Sequence, residues 1–420
     1  MTYEDSDVGF NWAQNYHYAA QSILRPTSAQ QLRDIIARGT PVRALGSRHS
    51  FTDIADTVGD LVSLEDWEGQ TAVDAELRQV SVAAGIRYGH LASALHDEGW
   101  AIHNMASLPH ISVAGAVSTA THGSGDNNGN LATAVAAVEF VNGLGELITL
   151  RRGEPDFSGA VVALGALGIL TRVVLDIEPT FDVRQDVYTD LRWDDALNHF
   201  DAVTSSAYSV SMFTNWLGET IGTTWLKSRM DAPEPPVTLL GAPRAATEVH
   251  MLPGNDPINT TPQLGVSGPW SERLAHFRLE FTPSNGNELQ SEYLVPRANI
   301  RAALEGLRDI GERIEPLLMI TELRTMAKDD LWLSGAYNTD AVGIHFTWKM
   351  DEPAVRALLP DIEAILLPLG ARPHWGKVFT ASAVDLAGVY PRLDDFRELV
   401  ARHDPNGLFR NAFLERTLGI

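Results

Sequence analysis

The alternation of apolar and polar residues divides the chain into short strands and capped helices. "RPTSAQQLRDIIARGT" (residues 25–40) reads as a helix: Thr27 or Ser28 can cap it, Gln31 lies three residues after Ser28, and Gly39 can stop it. A short apolar run, Val42 to Leu45, predicts a strand that leads into the loop "GSRHSF" at residues 46–51. Residues 61–64 and 79–84 read as strands, and "YGHLASALHDEGW" as a helix with apolar positions at Leu91 and Leu95. "VEFVNGLGELITL" predicts a hairpin about a Gly-containing turn. "LGILTRVVLDIEP" alternates at Ile169, Val173, Leu175 and Ile177, the pattern of a half-buried strand. Residues 229–270 are rich in Pro and Gly and predict an irregular excursion. Strand patterns return near 276–281, 317–324 and 342–349.

Interspersed strands and helices with a small-residue loop region predict an α+β fold. A length of 420 residues exceeds what one hydrophobic core serves, so two domains are expected. There is no Cys, which excludes disulfides, thiolate metal sites and a Cys nucleophile. A formal charge of −22 disfavours nucleic acid and anionic membrane as partners and makes a neutral small molecule the expected ligand. The first ten residues, "MTYEDSDVGF", are acidic and hold no apolar signal region, and no run approaches the ~20 apolar residues of a membrane span. The expected location is the cytoplasm and the expected state a monomer.

Three places carry candidate chemistry. The first is the loop with His49, flanked by Ser47 and Ser50. The second is the run "ASLPHISVAGAVSTATHGSGDNNG" (106–129), whose Gly, Ala and Ser residues let a backbone approach a ligand closely. It lacks the Lys of a Walker loop and the strand-then-helix setting of a Rossmann fingerprint, which leaves a packed structural loop or a cradle for an extended dinucleotide. The third is a pair of strands. "LLMITELRTM" puts Ile320, Glu322 and Arg324 on one face; "VGIHFTWKM" puts Gly343, His345, Thr347 and Lys349 opposite an apolar face of Val342, Ile344, Phe346 and Trp348. If the strands are neighbours, Glu322, Arg324, His345 and Thr347 converge on one surface able to bind several hydroxyls; otherwise they form an ordinary solvated sheet face. "RPHWGKVF" adds His374 and Lys377 in a turn.

Taken in order, "RALGSRHSF", "SLPHISVAGAVSTATHG", "GALGILT", "ELRT", "HFTW", "HWGK" and "DPNGLFRN" resemble the FAD-dependent oxidases of the vanillyl-alcohol oxidase type, and among these the alditol (xylitol) oxidases. The resemblance implies a two-domain PCMH-type FAD-binding fold whose substrate (cap) domain is built on an antiparallel sheet. It places the FAD domain at 1–180, completed by 378–420, and the substrate domain at 181–377. It implies FAD joined covalently through His49, with Ala44, Leu45, Gly46, Ser47, Arg48 and Ser50 on its pyrophosphate side. Ser107, Ser112, Gly115, Thr119, Ala120, Thr121 and His122 would line the cofactor, Ile169 and Leu170 reach its adenine end, and His374 its ring system. A polyol site is implied at Ser107, Glu322, Arg324, Thr347 and Lys377, with Arg324, Lys377 and His345 doing the chemistry; no metal is implied. Small Ala106 would leave a path for O₂. Two other readings compete: a sugar-lactone oxidase or dehydrogenase on the same fold, and an acidic carbohydrate-binding protein without flavin.

Overall fold

The computed structural model describes residues 3–5, 8–67, 69–280 and 287–420. Three sheets organise it. A four-stranded sheet runs in the order Tyr3–Asp5, Ser22–Arg25, Asp60–Ser63, Val42–Leu45, with the last three strands parallel. A five-stranded antiparallel sheet follows, in the order Ala72–Asp74, Gln79–Ala83, Gly168–Asp176, Val135–Asn142, Leu147–Arg151. The third is an eight-stranded antiparallel sheet whose centre is Thr220–Arg229, Ser209–Thr214, Leu318–Met326, Ala341–Lys349 and Glu288–Pro296.

Most elements form where the pattern places them. Helix Ala29–Ile36 starts at Ser28, whose Oγ accepts from the Gln31 N–H, while the Gln31 side chain accepts from the Thr27 N–H. Gly39 ends the turn beyond it at φ +69°, a conformation that costs a β-carbon-bearing residue. The hairpin Val135–Asn142/Leu147–Arg151 and strand Gly168–Asp176 also form. Two segments depart from expectation. Residues 276–280 are not a strand; Phe277 makes a single bridge to Thr260, and residue 281 lies outside the described residues. The strand lies later, at Glu288–Pro296. Its alternation is concealed because both of its faces are buried, one beneath apolar helices and the other against polar groups.

The eight-stranded sheet has two different faces. Leu289, Tyr293, Val295, Ile344, Phe346 and Trp348 point into an apolar cluster with Leu304, Leu307, Leu359 and Ile362 from helices Ile300–Asp309 and Glu352–Leu366. That cluster buries one face and leaves the other to floor a cavity. A second cluster joins the five-stranded sheet (Val138, Val173) to the C-terminal helices Leu393–His403 and Ala412–Leu418 through Phe396, Leu399 and Phe413. Among the described residues no helix is long and apolar enough to cross a membrane.

Candidate active site

A continuous cavity of about 560 Å³ runs from the His49 loop to the polar face of the eight-stranded sheet. At one end, residues 44–50 leave strand Val42–Leu45 and meet the start of helix Val113–Ser118. The Ser112 N–H donates to Ser47 Oγ at 3.1 Å, but Ser112 Oγ itself is buried without a partner. A β-carbon on Gly46 or on Gly115 would lie 2.8 Å from that oxygen, so a larger residue at either position would displace the hydroxyl. Arg48 holds φ +63°, which is uncommon outside glycine and points to a functional constraint. The N-terminal segment clamps it there: Arg48 Nη1 donates to Val8 O at 2.6 Å, and Arg48 O accepts from the Trp12 N–H at 2.8 Å. Trp12 stacks on the His49 ring, with centroids 5.3 Å apart. Burial lowers the His49 pKa to about 4, so the imidazole is neutral at physiological pH, and its Nδ1 has no hydrogen-bond partner.

At the other end, the register brings the two patterned strands side by side. Glu322 pairs with His345 and Arg324 with Gly343. On the far side His345 pairs with Glu292, so Glu322, His345 and Glu292 form one cross-strand row. Lys377 arrives from the turn after Arg372–Pro373, a turn held by the His374 N–H donating to Glu292 O at 2.9 Å. Lys377 Nζ donates to Glu292 Oε2 and lies 2.5 Å from His345 Nδ1. His345 Nε2 is 3.1 Å from Thr347 Oγ1. Arg324 donates to Ser107 Oγ at 3.2 Å and to Glu292 Oε1 at 3.1 Å. The row is therefore not a solvated sheet face but a buried polar network.

Its charges balance. Burial alone would raise the Glu322 carboxyl, but Arg324 and His276 outweigh it and hold the group below the usual carboxylate range. Glu292 is likewise held well below it: burial opposes, and Lys377, His122 and Arg324 prevail. Burial lowers Lys377, with Glu292 opposing the shift and Arg324 adding to it. Burial and the neighbouring Lys377 bring His345 down to about 4, leaving it neutral. A consequence follows for stability. Unfolded His345 takes up a proton near pH 6.5, whereas the folded site resists it down to about 4, so stability is lost as pH falls through this window. At pH 5 the cost is roughly 2 kcal/mol for one such histidine. The melting temperature is expected to fall between pH 7 and pH 5 and to fall less in His345→Gln; equal drops in the two proteins would refute this origin.

The residues singled out in the sequence mostly share this cavity. Glu322, Arg324, His345, Thr347, Lys377 and Ser107 line it, as do residues 44–50, Ser112, Gly115, Thr119, Thr121, His122, Leu170, His374 and Ala106. Ala120 and Ile169 do not; Ile169 belongs to the apolar cluster with Val42 and Val62, and Gly168 lines the cavity beside Leu170. Two residues of the polar network escaped sequence reasoning. Glu292 sits at the centre of the network and came from the concealed strand. His276, whose Nε2 lies 2.6 Å from Glu322 Oε1, came from a segment expected to be a strand. The excursion 229–270, without a recognisable motif, supplies His250, Met251 and Asn255 to the far wall.

The residues present fit an extended dinucleotide cofactor. An orphaned buried hydroxyl at Ser112, a glycine cradle at Gly46 and Gly115, and a neutral unpartnered imidazole at His49 stand at one end of a cavity whose other end carries the buried polar network. Fold and site thus define an FAD-binding oxidoreductase. Residues 20–151 match the FAD binding domain family, and residues 284–417 match the family described as D-arabinono-1,4-lactone oxidase. The chain belongs to the alditol oxidase family of PCMH-type flavoproteins: it is 46% identical to the alditol oxidase of a Streptomyces species over 97% of its own length and 98% of that protein's. It is 30% identical to L-gulono-1,4-lactone dehydrogenase of Mycobacterium tuberculosis, covering 99% of this chain and all of the other. The fold matches that of cholesterol oxidase from B. sterolicum with a TM-score of 0.80 at 15% identity, covering 99% of this chain and 97% of that one.

Proposed function

We propose that the protein oxidises the terminal (C1) hydroxyl of alditols such as xylitol and sorbitol to the aldose, with O₂ reduced to hydrogen peroxide. The observation that carries this reading is the polar row Glu322–His345–Glu292, with Arg324 and Lys377, in the same cavity as the flavin loop. The chemistry that FAD would supply here is a hydride acceptor for the substrate carbon and a route for the electron pair to O₂. His49, Gly46, Ser112 and Gly115 would hold it, His49 through a covalent bond to the 8α-methyl carbon. Every other requirement falls on the chain itself. Arg324, always charged, stabilises the developing alkoxide at C1. The Lys377–His345 pair, joined at 2.5 Å, takes up the C1 hydroxyl proton. Glu322 accepts hydrogen bonds from hydroxyls further along the substrate, and Thr347 and Ser107 orient them. A site satisfied only by several hydroxyls rejects simple alcohols, which leave buried polar groups unpaired.

Anaerobic addition of xylitol to the purified flavoprotein is expected to bleach its visible bands; bands that persist with xylitol and sorbitol would end this reading. Sugar-lactone oxidation is a second reading, favoured by the match of residues 284–417 to a lactone oxidase family. A panel of alditols against gulono- and galactonolactone separates the two. Glu322→Gln is expected to raise KM for xylitol roughly 5- to 150-fold, equivalent to about 1–3 kcal/mol of lost hydrogen bonding, with a smaller change in kcat. A wild-type KM would remove Glu322 from substrate binding.

A further inference from the structure

Glu292 is buried at 1% exposure and contacts groups from four separate segments. Oε1 lies 2.9 Å from His122 Nε2, in the loop after helix Val113–Ser118, and 3.1 Å from Arg324 on strand Leu318–Met326. Oε2 accepts from Lys377 Nζ and lies 3.3 Å from His345 Nδ1 on strand Ala341–Lys349. On its own strand, Gln290 also faces the cavity. The neighbouring strand has made room for this carboxylate. Gly343 lies mid-strand, where glycine forfeits side-chain packing. A β-carbon there would stand 2.7 Å from Glu292 Oε1 and 3.2 Å from His122 Cε1. The glycine is thus explained by the group it admits.

An isolated buried carboxylate is costly, and one removed from its partners leaves them uncompensated. A structural role alone would be met by Arg324, yet the second oxygen is committed to the Lys377–His345 pair. We propose that Glu292 is a positioning residue for the oxidation, a fixed counter-charge that orients the Lys377–His345 pair and sets the pH at which it exchanges its proton. This rests on the reading that the pair takes up the substrate proton. The ammonium of Lys377 has three donors. Glu292 Oε2 and His345 Nδ1 engage two, leaving one for the substrate oxygen. The groups facing Lys377 are Glu292, Arg324, His345, Glu322 and His374. Of these only the two carboxylates favour its charged form, and Glu292 is the one in contact.

The test measures Lys377 itself in the flavin-loaded enzyme, so it does not depend on turnover. The pH dependence of acetylation by trace acetic anhydride, read at Lys377 by mass spectrometry, gives its titration midpoint. Glu292→Gln is expected to lower that midpoint by about one to three pH units, and Glu292→Asp, which keeps the charge, to retain most of it. In parallel, the pH limb of flavin reduction by xylitol is expected to move down with the midpoint. An unchanged or raised midpoint in Glu292→Gln overturns the proposal, as does an equal drop in Glu292→Asp. If Glu292→Gln does not fold, Gly343→Ala, which drives a methyl group against the carboxylate, is read by the same criteria. Failure of wild-type enzyme to be reduced by xylitol would instead reject the substrate reading and leave the labelling result standing.

Discussion

Lys377→Met is expected to slow anaerobic flavin reduction by xylitol about a thousandfold while leaving FAD bound at wild-type stoichiometry. The size follows from the loss of a group that transfers a proton at the reacting centre, an effect of roughly 10² to 10⁴. The position supports it: Nζ lies in the cavity, 2.5 Å from His345 Nδ1 and beside Glu292. Burial lowers its pKa, with Glu292 opposing and Arg324 adding to the shift, so it loses its proton more readily than a surface lysine. Reduction by the wild-type enzyme should therefore accelerate with rising pH until the pair is deprotonated, and this limb should vanish in the variant. Met fills the space of the stem, which separates lost chemistry from lost packing. In Lys377→Ala, which vacates that space, a small added alkylamine should restore part of the rate. A variant that is reduced at near wild-type rate would exclude Lys377 from the chemistry.

His49→Ala is expected to abolish covalent attachment of the flavin. Wild-type protein precipitated in acid should yield a yellow pellet, and the variant a colourless pellet with the colour in the supernatant. The neutral ring, held under Trp12 with Nδ1 unpartnered, has the properties that the nucleophile of the proposed bond requires. The variant should still bind FAD, through the cradle formed by Gly46, Gly115 and Ser112, but lose it on extended dialysis. A variant whose colour stays in the pellet would move the linkage to another residue. A colourless pellet from the wild type would mean that FAD is held there without a bond.

The strand faces show how far pattern reading reaches. Alternation in 317–324 and 342–349 placed Glu322, Arg324, His345 and Thr347 opposite apolar positions, and each does line the cavity. It succeeded because one face of each strand is packed against helices, which preserves the period of two. At 288–296 the same signal failed, since Gln290 and Glu292 are enclosed by polar partners while Ser291 sits among the apolar face at 0% exposure. A carboxylate there reads as surface in the sequence. Only the arrival of His122, Arg324, His345 and Lys377 from distant segments converts it into a buried counter-charge.

The sequence by itself determined the elements whose cause is local: the Ser28 cap, the Gly39 stop, the hairpin at 135–151 and the two patterned strands. It also determined the chemical kinds available at the site, with His49 free of any competing Cys. The tertiary structure decided what depends on approach between remote segments. The clamp of residues 8–12 on the His49 loop, the seat of Glu292 against Gly343, and the His276–Glu322 contact are set by strand register and by loops folding over the sheet. Propensity and capping act over one turn or one strand pair, whereas a buried charge network is stable only when all of its members meet.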